Sequence, residues 1–141
     1  MTSQPELLIA KARELGGGPD KLVAVELETF FDQNNELGSI APNLVDHPGP
    51  QQIFEALSQV RQRPDVSSVV VLVDLEFDEY PDGEWPFGAA IQAVTSAPLA
   101  EIDAITASVG TDPAFEGVWQ PGSENPAQIV EGQRIITIWW D

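Results

Sequence analysis

The sequence predicts an α+β fold of the ferredoxin-like kind: a βαββαβ antiparallel sheet with helices on one face, plus an extra N-terminal helix. Three observations predict it. Four segments, 22–31, 66–77, 87–95 and 134–140, have the composition or period-two alternation of strands. Two segments between them, 50–63 and 99–109, carry apolar residues at helical spacing. Right-handed crossovers then set both of these helices on the same side of the sheet. The 141 residues are 43% hydrophobic, enough for a real core, and no linker divides them. The expectation is one domain over 1–141, with 1–20 as an N-terminal helix and hinge and 21–141 as the α+β core.

Ser3, Pro5 and Glu6 form a capping-box pattern with proline near the first helical position. Leu7, Leu8, Ala12 and Leu15 then recur at helical spacing, and the run Gly16-Gly17-Gly18-Pro19 ends the helix. That glycine run is not a phosphate loop, because no Gly-Lys-Ser/Thr follows it. Residues 22–31 read as a strand with Val23, Val25, Leu27 and Phe31 inward and Glu26 and Glu28 outward. Residues 32–49 are rich in turn formers and read as a long ordered loop, with 39–41 as a short extra strand. Pro50 opens a helix with the stripe Ile53, Phe54, Leu57 and Val60, and Pro64 closes it. In 66–77, Val69, Val71, Val73, Leu75 and Phe77 share one face, and Asp74 and Glu76 the other. Pro81-Asp82-Gly83 is a turn signature, so 87–95 is the return strand of a hairpin. A third helix follows Pro98, with Leu99, Ile102, Ala104 and Ile105 available for burial. Residues 110–132 are loop-rich with a short strand at 115–119, and 134–140 is the last strand.

On this reading the sheet face away from the helices carries Glu26, Glu28, Asp74 and Glu76, together with Gln92 and Thr137. Such a face is partly open to solvent, with the N-terminal helix or the 110–133 segment as its candidate covers. If the two carboxylate pairs coincide, four acids cluster there, the kind of arrangement that binds a divalent cation or shares a proton.

The 23 acidic and 6 basic side chains give a formal net charge of −17. Such a surface repels nucleic-acid phosphates and anionic membranes and favours cations or basic proteins. The absence of cysteine removes disulfides, thiolate catalysis and cysteine-based metal sites. No apolar run is long enough for a membrane span, and the N-terminal residues lack a signal-peptide layout. The expected protein is soluble and cytoplasmic, binding neither nucleic acid nor membrane.

The stretch DLEFDEYPDGEW, residues 74–85, holds six acids in twelve positions. It is not an EF-hand: counted from Asp78, Gly83 falls correctly at the sixth position, but Tyr80 occupies a ligand position and no acid closes the loop. A looser site at the hairpin tip, using Asp78, Asp82 and Glu84 for calcium or magnesium, remains as a candidate. The competing reading is a charged hairpin that keeps a sheet edge soluble. His47 is the single histidine, with Asp46 beside it, and no Gly-x-Ser-x-Gly elbow offers it a nucleophile. It reads as a loop residue. Trp85 follows the acidic turn and is a candidate recognition aromatic.

The pieces FFDQNNELGSI, RQRPDV, EWPFG and ITIWWD resemble those of a family of small acidic bacterial proteins of unknown function, over most of the chain from about residue 22. The resemblance implies no catalytic or binding residue, because that family has no established activity. The functional expectation is a non-enzymatic interaction module, immunity-type in its most concrete form. Its acidic surface, with Glu26, Glu28, Asp74, Glu76 and Trp85, docks on a basic partner. The alternative is a ligand- or cation-binding domain, enzymatic in one version, built on the 74–84 hairpin. A homodimer through the sheet face is the third.

Overall fold

The computed structural model describes residues 3–18, 21–75, 84–118 and 123–141. Among these, helix α1 (Gln4–Glu14) leads into strand β1 (Leu22–Glu26), followed by α2 (Leu27–Phe31), α3 (Pro50–Arg61), β2 (Val66–Asp74), β3 (Phe87–Thr95), α4 (Leu99–Thr106), β4 (Phe115–Glu116) and β5 (Arg134–Ile138). The strands form one antiparallel sheet in the order β1-β2-β3-β5-β4. The capping box is made as the sequence predicts, with Ser3 and Glu6 each bonding the other's backbone N–H.

The fold is α+β, but the strand order is not ferredoxin-like. In that topology the first helix delivers the second strand parallel to β1, leaving room for a third strand between them. Here β2 pairs directly with β1, antiparallel, with Leu22 opposite Asp74 and Glu26 opposite Val70. The cause is the route between them. Ile40 bridges Gly88, which pairs with Val73, itself opposite Val23. The 32–40 loop therefore carries the chain from the end of β1 back towards its start. Helix α3 then returns it to the end where β2 begins, and two traverses instead of one make β2 antiparallel. The predicted short strand at 39–41 is reduced to the single bridge at Ile40.

One face of the sheet is formed by Val23, Val25, Val71, Val73, Ile91, Ala93, Ile136 and Ile138, all buried in a single core with the helices. Leu8, Ile9 and Ala12 of α1 and Ile53, Leu57 and Val60 of α3 join the same core, while Leu7 is about half exposed. Residues 27–31 leave the predicted strand. Leu27, Phe30 and Phe31 are all fully buried, and their 0, 3, 4 spacing is that of a helix. The alternation through 22–31 fits both periods, and burying two adjacent phenylalanines selects the helix.

Phe30 anchors an aromatic cluster. Its ring lies 4.9 Å edge-on to Phe31 and 6.4 Å from Trp85, and Phe31 stacks on Phe54 at 5.4 Å. A Cβ at Gly88 would sit 2.9 Å from Phe30 Cζ, so β3 passes the ring only because residue 88 has no side chain.

The other sheet face is less polar and more covered than its predicted partly open, polar character. Leu22, Ala24, Leu72 and Ala90 are buried there as a second small cluster, and Gln92 and Thr137 are buried with them. The alternation reading assigned β1 one apolar face, whereas Leu22 to Val25 are buried on both. Part of the cover is the 123–133 segment. Glu124 adds to the outer edge of β1 through Glu124 N–H to Leu22 O and Ala24 N–H to Glu124 O. At the far end, Gln133 bonds Asp65 O and accepts from Ser67. The segment thus straps the sheet from β1's edge to the start of β2, and the expected cover by 110–133 is met by its second half.

Candidate functional site: the groove beneath the strap

Between the strap and the outer face lies a groove of about 290 Å³. Its floor is Ala24 and Val70 and its wall is Pro126 and Val130, with Glu26, Ser67, Ser68, Asn125 and Gln128 as the polar lining. β1 ends at Glu26 and β2 runs alongside from Val66, so the sheet register fixes the spacing of these groups. The strap is locked against them by Asn125, whose amide nitrogen donates to Ala24 O at 3.0 Å. Asn125 adopts φ 51°, a left-handed conformation that asparagine tolerates better than most residues.

The groove carries both hydrogen-bond acceptors and donors, with the Gln128 amide and the Ser68 hydroxyl able to serve as either. Ser67 spends its proton on Gln133 Oε1 at 2.6 Å, leaving lone pairs. Asn125 spends one N–H on Ala24, leaving its oxygen and a second N–H. Glu26 is exposed at the rim. Ser68 Oγ is buried and finds no partner among the described residues, nor does Gln92 Oε1 on the same face. Gln92 pairs with Val70, so it stands one diagonal step from Ser68. An unpartnered buried polar group costs about 1–3 kcal/mol, so two of them on one covered face mark this region.

The other sequence candidates are placed elsewhere. Glu28 does not share the outer face with Glu26, because it lies in α2 and accepts from Arg61 at 3.0 Å. Asp74 shares the face but stands four rungs from Glu26 along the ladder, roughly 13 Å at about 3.3 Å per residue. The expected carboxylate cluster is therefore not assembled from Glu26, Glu28 and Asp74. Trp85 is half-buried against Phe30 and packs on the core. Glu84 is exposed, while Glu76, Asp78 and Asp82 lie outside the described residues. Among the described residues no group of three or more His, Cys, Asp or Glu is placed to hold a metal ion.

His47 closes the 40–49 loop. Its Nδ1 accepts from Gly49 N–H at 2.9 Å, so Nε2 carries the proton and donates to Ile40 O at 2.7 Å. Both ring nitrogens are committed to backbone. Asp46, exposed beside it, lines with Leu37 and Val45 a shallow surface hollow of about 540 Å³.

The arginines bind seams of the fold. Arg61 joins α3 to α2 through Glu28, and Arg63 bonds Asp65 with both carboxylate oxygens at 2.9 Å and reaches Glu101 on α4 at 3.0 Å. Arg134 donates to Thr95 O at 2.8 Å. The bond from Arg61 holds the Glu28 carboxyl below its ordinary value against a smaller opposing effect of burial. Arg63 does the same for Asp65. A depressed carboxyl stabilises the fold above its unfolded pKa and loses that contribution as pH falls through the folded value. Glu28→Gln is therefore expected to cost less than about 1 kcal/mol at pH 7 for so exposed a pair, and so to lower Tm only slightly. Parallel melts of the two proteins should converge below about pH 4, where an ordinary glutamate protonates. A gap that persists to pH 2.5, about two units below the ordinary value, would show that the carboxylate charge is not its source.

These features define a small acidic α+β protein in which a crossing segment makes a groove with one face of an antiparallel sheet. The chain belongs to the Uncharacterized protein YfbO family, which it matches over residues 3–139. It is 32% identical over 119 residues to the Uncharacterized protein YfbO of Escherichia coli strain K12, covering 83% of this chain and 81% of that one. Neither description assigns an activity. No solved structure matches the chain. No helix among the described residues is long and apolar enough to cross a membrane.

Proposed function

We propose that this protein is a cytoplasmic, non-enzymatic interaction module that docks on a basic partner, as immunity-type proteins do. The observation that carries this reading is where its few positive charges go. Arg61, Arg63 and Arg134 are engaged in internal seams, in a chain whose net charge is −17. Such a field steers a basic protein towards it and repels acidic ones. The strap adds contact area beside the acids: Ile129 and Val130 are 62% and 46% exposed, Glu131 follows them, and Glu26 stands at the groove rim. Apolar centre and charged rim together are the ordinary composition of a transient interface.

Capture from an extract of the source cells tests it, with the immobilised protein compared to its Glu26→Gln/Glu131→Gln variant. The expected result is a basic protein retained at about 0.15 M salt, weakened by the double substitution and released as screening shortens the Debye length. Retention of the same proteins by both forms at high salt would remove this face, and the charge argument, from the proposal.

A further inference from the structure

We propose that the strap is a latched cover that lifts as one unit and uncovers the outer edge of β1 while the sheet beneath stays paired. This goes beyond the docking reading and does not depend on it. The sequence allows the strap only one rung of strand pairing. Glu124 meets β1 in the parallel sense: its N–H donates to Leu22 O and its carbonyl accepts from Ala24 N–H. The next rung of a parallel ladder would bring the N–H of residue 126 to Ala24 O. Residue 126 is proline and has no N–H to give. The Asn125 side chain takes Ala24 O instead, at 3.0 Å. A side-chain latch thus stands where a backbone rung would be.

The strap is pinned at one other place, where Gln133 donates to Asp65 O and accepts from Ser67. Among the described residues no hydrogen bond joins 126–132 to the sheet, and most of that span is exposed. Gly132, at φ 83°, sits in the turn that leads into β5. The closed form also carries a cost. Ser68 Oγ is buried in the groove between strap and sheet without a partner among the described residues, and lifting the strap hydrates it. Burial of Ala24 and the bonds of the two pins hold the cover shut against that cost. Once lifted, it leaves Leu22 O, Ala24 N–H and Ala24 O as an unpaired strand edge. The strap is in this sense an internal stand-in for a neighbouring strand.

Hydrogen exchange followed by NMR on the intact ¹⁵N-labelled chain tests this. Strand N–H groups alternate in side, so with Ala24 outward those of Val23 and Val25 face β2. The Ala24 and Glu124 amides therefore report on the strap, and Val23 and Val25 on the sheet. Ala24 and Glu124 are expected to share one protection factor, at least about 100-fold below those of Val23 and Val25 and little changed by sub-denaturing urea. Asn125→Gly removes the latch while keeping the φ of 51° accessible, and should speed both strap amides about three-fold or more. Gln133→Ala, at the far pin, touches neither amide yet should speed both by a similar factor, and by more than it speeds Val23 and Val25. Exchange of Ala24 and Glu124 in step with Val23 and Val25 would make the strap a fixed part of the sheet and overturn the proposal. A Gln133→Ala effect confined to its own end would overturn it too, because two ends that fray independently are not one cover. Capture of no basic partner sinks the docking reading alone and leaves this exchange pattern as expected.

Discussion

Phe30→Ala is expected to destabilise the protein by about 3–5 kcal/mol, the range for emptying a fully buried aromatic site, and to lower Tm by roughly 10 °C or more. Phe30 is 0% exposed, touches Phe31 and Trp85 edge-on, and fills the space above Gly88. Its truncation removes the contact that holds α2 to β3 and leaves a cavity at the start of the hairpin return strand. Gly88→Ala probes the same contact from the other side. Its new Cβ would lie 2.9 Å from Phe30 Cζ and 3.3 Å from two further ring carbons, so either the ring or the strand must shift. An overpacking cost of about 1–3 kcal/mol is expected. The double variant Gly88→Ala/Phe30→Leu discriminates the cause: if the clash is the cost, its stability loss is smaller than the sum of the two single losses. Strict additivity in urea melts would mean that Gly88 is needed for some reason other than Phe30.

Much of the fold could be read from local chemistry, because its signals lie within a few residues of one another. Ser3 with Glu6, Pro50 at the start of α3, and the run 87–95 place their elements at the observed ends. The sequence was ambiguous at Leu27, where two periodicities coincide. Strand order was illegible for a different reason: it depends on the return path of the 32–49 loop. That path is fixed by polar side chains, His47 to Ile40 and Gln51 to Phe31 and Asn34, whose partners no spacing rule identifies. The groove lies further still from local rules. Asn125 meets Ala24 across 101 residues. Glu26 was singled out as one acid of a supposed cluster of four and of a docking face, whereas it lines a groove with Ser67 and Ser68. The two adjacent serines at the start of an otherwise apolar strand were the available signal. The four pieces that carry the family resemblance fall largely on seams: the aromatic cluster and its loop, the Arg61 and Arg63 ion pairs, Trp85 beside Gly88, and Trp140, which packs on the core and donates to Val109 O. They describe how the chain folds more than what it binds.

Asn34→Leu is the second large effect expected, and it acts through hydrogen bonds instead of volume. Asn34 is 0% exposed. Its amide nitrogen donates to Phe30 O and to Ser39 Oγ at 3.3 and 3.0 Å, its oxygen accepts from Glu36 N–H at 3.0 Å, and Ser39 donates to Glu36 O at 2.8 Å. Gln51 clamps the outside of this knot by donating to Phe31 O at 2.7 Å and Asn34 O at 2.8 Å. Leucine nearly matches the volume but satisfies none of these groups, so the buried Ser39 hydroxyl and the part-buried Glu36 N–H each lose a partner. At about 1–3 kcal/mol for an orphaned group, a loss of roughly 2–4 kcal/mol is expected once cooperativity within the network is included. The effect should also be local. The 32–40 loop is what turns the connection between β1 and β2 into a double traverse, and Asn34 is its inner tie. Limited proteolysis should therefore cut Asn34→Leu between residues 32 and 49 well before global unfolding, whereas Phe30→Ala should open the whole core together. If Asn34→Leu melts like the wild type and its loop resists cleavage, the antiparallel pairing of β1 with β2 does not depend on this knot, and the cause must lie in the apolar anchoring of Ile40 beside Gly88.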